Sequence, residues 1–242
     1  ATVDEPVGAG ATGAAEAGAA PGAAPGAAPS ALDAAPASPV APPASSAPVS
    51  PLTVALWDFG AKGGIKEELL RRGCRVITVP AAWTAERILA CRPDGVLLSN
   101  GPGDPAENTA IIRELRVLCG QKLPIFGICL GHQLLALALG GRTEKMKYGH
   151  RGANQPVRDL ELGRVLISSQ NHGYAVSLEH LPLRATLRFV NANDGTCEGL
   201  TYLELPAFSA QFHPEACAGP LDARYLFDRF IALMRGEKRH GA

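Results

Sequence analysis

Three groupings in this chain could do chemistry: a cysteine between two glycines, a histidine followed two residues on by a glutamate, and a glycine-rich turn. Gly127-Ile128-Cys129-Leu130-Gly131 follows an apolar run that begins at Pro124 and runs straight into a helical pattern. A G-x-C-x-G at a strand-to-helix turn can hold a thiol exposed, because small flanking residues let the chain fold back without collision. At a helix N-terminus the dipole also favours the thiolate, the nucleophilic form. Taken alone, the same five residues fit a buried structural cysteine between two turn glycines. The motif needs a base.

His213-Pro214-Glu215, directly after the apolar run Phe208 to Phe212, offers one. Residues two apart in extended chain point to the same side, so Glu215 can fix the tautomer of His213 while the other ring nitrogen meets Cys129. Singly, His213 is a strand-end histidine satisfied by solvent and Glu215 a solvated carboxylate. With the cysteine they make a nucleophile, a base and an orienter. The third grouping, Ser99-Asn100-Gly101-Pro102-Gly103-Asp104-Pro105, is in its plain reading a Gly/Pro turn. In its functional reading Gly101, lacking a Cβ, brings its N–H close to a reacting carbonyl, and the N–H of Leu130 supplies a second donor.

The elements that must position these groups follow from apolar spacing. After Pro51, short apolar runs alternate with amphipathic stretches, the pattern of β-α units around a largely parallel sheet. Strands are predicted at Thr53 to Trp57, Arg75 to Val79, Gly95 to Leu98, Pro124 to Ile128 and Ala207 to Phe212. Helices are predicted at Ile65 to Arg72, Thr84 to Cys91, Glu107 to Leu118, His132 to Leu139 and Leu221 to Met234. Thr84 is the expected cap of the second helix, and Gly140-Gly141 closes the fourth. Beyond Arg142 the pattern predicts short strands with polar turns. The fold class is therefore α/β: a doubly wound, mostly parallel sheet with an added β-rich portion. In such sheets ligands bind beyond the carboxyl ends of the strands, where Cys129 and the Ser99 turn fall.

Together, GICLGHQ, HPE and SNGPGDP resemble the class I (triad) glutamine amidotransferases, with their flavodoxin-like fold, over essentially all of Pro51 to Met234. SNGPGDP, with MKYGHRGANQPV (Met146 to Val157) and QNHGYAV (Gln170 to Val176), is similar to the small, glutamine-hydrolysing subunits of carbamoyl-phosphate synthases. The resemblance implies that Cys129 attacks the amide of L-glutamine and forms a glutamyl thioester. His213 would protonate the departing ammonia and then activate water, with Glu215 orienting it, and Gly101 and Leu130 would hold the oxyanion. The amino-acid end of glutamine would lie near Gly103, Gln133, Asn171, Gly173 and Tyr174, the last of which is usually Phe in that family. A large carbamoyl-phosphate synthase subunit is the implied partner, carrying ATP and Mg, with no cofactor in this chain.

The resemblance also implies an N-terminal domain ahead of the glutaminase domain, lending a side chain to the glutamine site and helping to dock the large subunit. Ala1 to Pro6 looks like its tail, and Ala1 like an internal start. Two other functions compete: a triad hydrolase or peptidase of the same fold, and a catalytically silent regulatory scaffold. Gln133 and Asn171-His172-Gly173 argue against the first, and the intact Cys129, His213 and Glu215 against the second.

Composition narrows the classes further. Lys plus Arg and Asp plus Glu number 23 each, so no net field draws the chain to nucleic acid or to an anionic membrane. The six cysteines include no C-x-x-C pair and no zinc spacing, and are expected to be reduced thiols in a cytoplasmic protein, with Cys217 a bystander. His132, His150 and His172 are scattered, His132 and His172 reading as supports of the site; no metal or cofactor motif occurs. The most apolar window, Leu123 to Gly140, is broken by Gly127, Gly131, His132 and Gln133, so no membrane span is expected.

Val7 to Pro51 is Ala, Pro, Gly and Ser with a near-repeat, PGAAPGAAPSA, and has few side chains able to offset ordering entropy. Residues 1–51 are accordingly read as a polyproline-leaning, disordered linker and 52–242 as the glutaminase domain. Deleting Val7 to Ser50 should leave the melting temperature unchanged. A drop of several degrees in calorimetry would show that the segment packs on the domain.

Overall fold

A computed structural model describes residues 50–216 and 223–237. Residues 1–49 of the expected linker, Cys217 and the expected helix start at Leu221 lie outside them. Among the described residues, nine strands form one sheet in the order β2-β1-β3-β4-β9-β8-β7-β5-β6. Its parallel half comprises β1 (Thr53–Asp58), β2 (Arg75–Pro80), β3 (Gly95–Leu98), β4 (Ile125–Ile128) and β9 (Ala207–Ala210). The helices are α1 (Gly63–Arg71), α2 (Ala85–Ala90), α3 (Thr109–Gly120), α4 (Leu130–Ala138) and α5 (Tyr225–Met234).

Helices cover both faces of the parallel half, which is why its central strands are apolar throughout rather than alternating. Val54 and Leu56 of β1 point to one core with Ile65 and Leu69 of α1 and Phe227 and Phe230 of α5. Ala55 and Trp57 point to the other, with Ile88 of α2, Leu115 of α3 and Leu134 of α4. Phe126 of β4 stacks on Phe208 of β9 at 4.4 Å between ring centroids, and Phe227 meets Phe126 edge-on at 5.7 Å. Arg72, just past α1, donates to Asp228 of α5 and to the buried Glu68, each at 2.6 Å, locking the two helices together.

The β-rich portion is continuous with this sheet and differs from the expected run of short strands. β5 (Thr143–Asp159) and β6 (Arg164–Val176) are 17 and 13 residues long and pair as one antiparallel hairpin, with β7 (Ala185–Asn191) and β8 (Cys197–Tyr202) joining it to β9. Backbone pairing continues through two register shifts, where β5 is largely exposed and shows no apolar alternation to reveal it. Several bounds also move. α3 starts at Thr109 because Asp104 caps a 3-10 turn at Pro105–Glu107, accepting from the Ala106 N–H. β9 stops at Ala210, two residues short of the expected end at Phe212.

The shift that matters most is in α4, which begins at Leu130 rather than His132, so that Cys129 is itself the residue before the helix. Its φ of 53° and ψ of −103° are rare for a residue with a side chain. The flanking glycines make that turn possible: a Cβ on Gly127 would lie 2.7 Å from the Gly131 carbonyl oxygen, and one on Gly131 would lie 2.4 Å from the Leu98 carbonyl oxygen. Gly131→Ala should therefore lower stability by about 1–3 kcal/mol despite the better helix propensity of Ala, because the collision is with backbone. Gly120→Ala, at a helical glycine with open space around it, should be neutral or gain about 0.5 kcal/mol. Denaturant titration of both variants checks the contrast; equal effects would reject it.

Candidate active site

Three neighbouring parallel strands, β3, β4 and β9, end side by side. The Ser99 turn follows β3, Cys129 follows β4 and His213 lies just past β9, so sheet order alone brings the three groupings together. His213 Nδ1 and Glu215 Oε1 are 2.8 Å apart, and His213 also hydrogen-bonds Cys129. The three residues are 5%, 4% and 3% exposed for Cys129, His213 and Glu215, so their interaction is little screened by water. Burial disfavours the His213 imidazolium, but the hydrogen bonds to Cys129 and Glu215 outweigh it and raise the pKa to about 9. The His213 backbone N–H donates to the Ser169 carbonyl at 2.9 Å, pinning the segment to β6. Gly64 of α1 closes the far side: a Cβ there would sit 3.2 Å from the Glu215 carbonyl oxygen.

Cys129 opens onto a cavity of about 510 Å³. Of the residues singled out from sequence, Gly101, Gly103, Cys129, Gln133, Asn171, Gly173 and Tyr174 line it. Leu130, His213 and Glu215 do not line it themselves; Leu130 and His213 adjoin Cys129, which does, and Glu215 adjoins His213. Leu130 is the first residue of α4, so its N–H has no acceptor within the helix, as a donor to an oxyanion requires. Gly101 is tightly enclosed, with the Phe59 carbonyl oxygen 2.4 Å from where its Cβ would be. Gln133 ties α4 to the opposite wall, donating to the Tyr174 carbonyl at 2.7 Å and to Gln211 Oε1 at 2.8 Å. The Tyr174 hydroxyl hydrogen-bonds Asp104, whose side chain raises the phenol pKa.

Sequence reading missed the basic side of this cavity: Lys145, Lys147 and Arg151 of β5 line it, with Tyr148 at its exposed rim. Hairpin register also joins histidines that are scattered in sequence. His150 and His172 are cross-strand partners with rings 5.0 Å apart, edge to face. His172 Nδ1 lies 2.8 Å from the Tyr174 carbonyl, and burial lowers its pKa to about 4. His132 is fully buried against Ser209 Oγ at 2.7 Å, with burial lowering its pKa to about 3, so it supports β9 from within α4. His150 bridges Glu198 Oε1 at 3.1 Å and Asp194 Oδ2 at 2.8 Å. Its hydrogen bond to Glu198, against the cost of burial, raises its pKa to about 9.

Among the described residues, His150, His172 and Glu198 are the grouping with potential ligand atoms close enough for a metal, within 4.8 Å of one another. Both His150 nitrogens already face carboxylates, Asp194 and Glu198, which engages the ring as an ion pair.

The model of the family described as glutamine amidotransferase class-I matches residues 55–233, spanning every element from β1 to α5. The chain belongs to the class I glutamine amidotransferase family. Its curated relatives include carbamoyl phosphate synthase small chains from Symbiobacterium thermophilum, 56% identical over 178 residues (73% of this chain, 49% of that one), and from Bacillus caldolyticus, 54% identical over 189 residues (78% and 52%). The chain thus spans about half the length of the curated relatives it matches. Among solved structures, a Thermoplasma acidophilum protein superposes with a TM-score of 0.68 at 24% identity, covering 76% of this chain and 94% of that one. A glutamine amidotransferase from Thermotoga maritima gives 0.56 at 19% identity, covering 78% and 86%. These two show the shared amidotransferase fold. Among the described residues no helix is long and apolar enough to cross a membrane.

The raised pKa of His150 has a consequence for this amidotransferase domain. The folded state holds the proton more tightly than the unfolded chain, so the stabilisation is complete below about pH 6.5 and is lost as pH rises through about 9. Replacing His150 and Glu198 together by Gln removes the charge pair without stranding a buried carboxylate. The double variant should show a smaller fall in melting temperature between those pH values than the wild type. An equal fall in both proteins would contradict the ion-pair assignment.

Proposed function

We propose that this chain is the glutaminase part of a carbamoyl-phosphate synthase, hydrolysing L-glutamine and delivering ammonia to a large synthetase subunit. The observation that carries this reading is His213 hydrogen-bonded to both Cys129 and Glu215 at the edge of a polar cavity that Cys129 itself lines. Cys129 passes its thiol proton to His213, its sulfur attacks the side-chain amide carbon, and the carbonyl oxygen becomes an oxyanion held by the N–H groups of Gly101 and Leu130. As the C–N bond breaks, His213 gives its proton to the nitrogen, which leaves as ammonia. Water then attacks the glutamyl thioester, His213 takes a proton from it, and the C–S bond breaks to return Cys129 and release glutamate. Glu215 orients the imidazole and stabilises its charged form throughout.

Gly103, Gln133, Asn171, Gly173 and Tyr174 are the residues proposed to hold the amino-acid end of glutamine, Gln133 chiefly by fixing the Tyr174 backbone. Each step uses side chains and backbone amides only, so no cofactor is proposed in this chain. ATP and Mg are assigned to the large subunit, where phosphoryl chemistry would occur. That partner is supported by the relatives named carbamoyl phosphate synthase small chain. Free thiols at Cys74, Cys91, Cys119, Cys129 and Cys197 accord with a cytoplasmic setting.

Cys129→Ser should abolish glutamine-dependent ammonia release while leaving the melting temperature close to wild type, since a hydroxyl is a far poorer nucleophile beside this base. Glu215→Ala should lower turnover less. Because Glu215 helps hold the His213 proton, the alkaline limb of turnover, expected near pH 9 in the wild type, should move to lower pH in that variant. Ammonia release by Cys129→Ser at the wild-type rate would refute the triad, and an unmoved alkaline limb would refute the role of Glu215.

A further inference from the structure

Gly101 poses a conformational problem. The proposed oxyanion donor must be glycine because the Phe59 carbonyl oxygen would lie 2.4 Å from any Cβ. Glycine populates both signs of φ with similar ease, so the Asn100–Gly101 peptide could rotate and turn its N–H away from the substrate at little cost. A hole that must be formed before charge develops needs a lock on that peptide.

We infer that Ser99 is this lock, a positioning residue whose side-chain hydroxyl fixes the Asn100–Gly101 peptide plane so that the Gly101 N–H faces the carbonyl attacked by Cys129. Ser99 is completely buried. Its Oγ accepts the Phe59 N–H at 2.8 Å, which leaves the hydroxyl proton to be donated elsewhere. That proton goes to the Asn100 carbonyl oxygen, also at 2.8 Å. In a trans peptide the C=O and the following N–H point in opposite directions. Holding the Asn100 carbonyl on Ser99 therefore directs the Gly101 N–H away from Ser99, on the residue that lines the cavity with Cys129.

The backbone of Ser99 closes the same unit. Its N–H donates to the Trp57 carbonyl, and its carbonyl accepts the Gly131 N–H at 3.1 Å, within the nucleophile turn. Asn100 adds a second tie from its side chain, accepting the Lys62 N–H at 3.0 Å and donating to the Gly60 carbonyl at 2.9 Å. The segment before α1 is thus the fixed body against which the oxyanion peptide is held, and Ser99 joins it to the cysteine.

This inference rests on Cys129 as nucleophile and Gly101 as oxyanion donor, so the test includes a control for that reading. Steady-state hydrolysis of L-glutamine by the full chain is measured for wild type, Ser99→Ala and Cys129→Ala, with inhibition by glutamate γ-semialdehyde and alkylation of Cys129 by iodoacetamide. The aldehyde adds the cysteine sulfur to its carbonyl carbon and leaves an oxygen in the oxyanion position, whereas alkylation makes no oxyanion. Ser99→Ala should lower kcat by about tenfold to a hundredfold with KM little changed, and weaken aldehyde inhibition by a similar factor. Its alkylation rate should match wild type. Wild-type kcat in Ser99→Ala, or an equal loss of alkylation rate, would overturn the inference. Ser99→Cys, which keeps the shape but donates weakly, carries the same comparison if the alanine variant does not fold. Turnover surviving in Cys129→Ala would instead overturn the triad reading itself.

Discussion

The strained turn at Cys129 is the constraint on which the rest depends. A residue with a side chain held at φ 53° and ψ −103° costs of order 1–3 kcal/mol, and it persists only where its surroundings over-determine it. Here the Cys129 N–H donates to the Ala210 carbonyl at 2.8 Å, the Gly131 N–H donates to Ser99, and Gly127 and Gly131 let strand and helix approach to backbone contact. The strain yields a thiol that projects beyond the sheet at the start of a helix, with the Leu130 N–H beside it.

Sheet order then completes the site. β4 carries the cysteine and has β3 on one side and β9 on the other. Because the three run parallel, their carboxyl ends coincide, and one neighbour delivers the Ser99 turn while the other delivers His213. An antiparallel neighbour would have carried its loop to the opposite edge. The antiparallel half serves a different purpose. Its hairpin of β5 and β6 forms the far wall of the cavity, accepts the His213 N–H through Ser169, and is tied back to α4 by Gln133.

The parallel half was legible in sequence because both its faces are buried, which writes apolar runs such as Gly95 to Leu98 directly into the chain. Cys129, His213 and Glu215 were legible because their spacing is local to strand ends. The long hairpin was not, since β5 is polar and exposed over much of its length and its pairing is carried by backbone groups that leave no side-chain pattern. Lys145, Lys147 and Arg151 were overlooked for the same reason: on an exposed strand a basic residue reads as solvated surface. The pairing of His150 with His172 depends on register after a bulge, which no spacing rule supplies. Ser99 drew notice only as part of a turn, and the two hydrogen bonds of its hydroxyl become visible once Phe59 is placed beside it.

The central claim is that Cys129 carries the glutamyl group between release of ammonia and attack by water. The most direct measurement is mass spectrometry of protein mixed with L-glutamine, quenched in acid within one turnover and digested, to find which peptide gains mass. The account predicts a glutamyl thioester on the peptide containing Cys129, forming and decaying at rates that bracket turnover. Ammonia released at the normal rate with no adduct, or with the adduct on another residue, would contradict it.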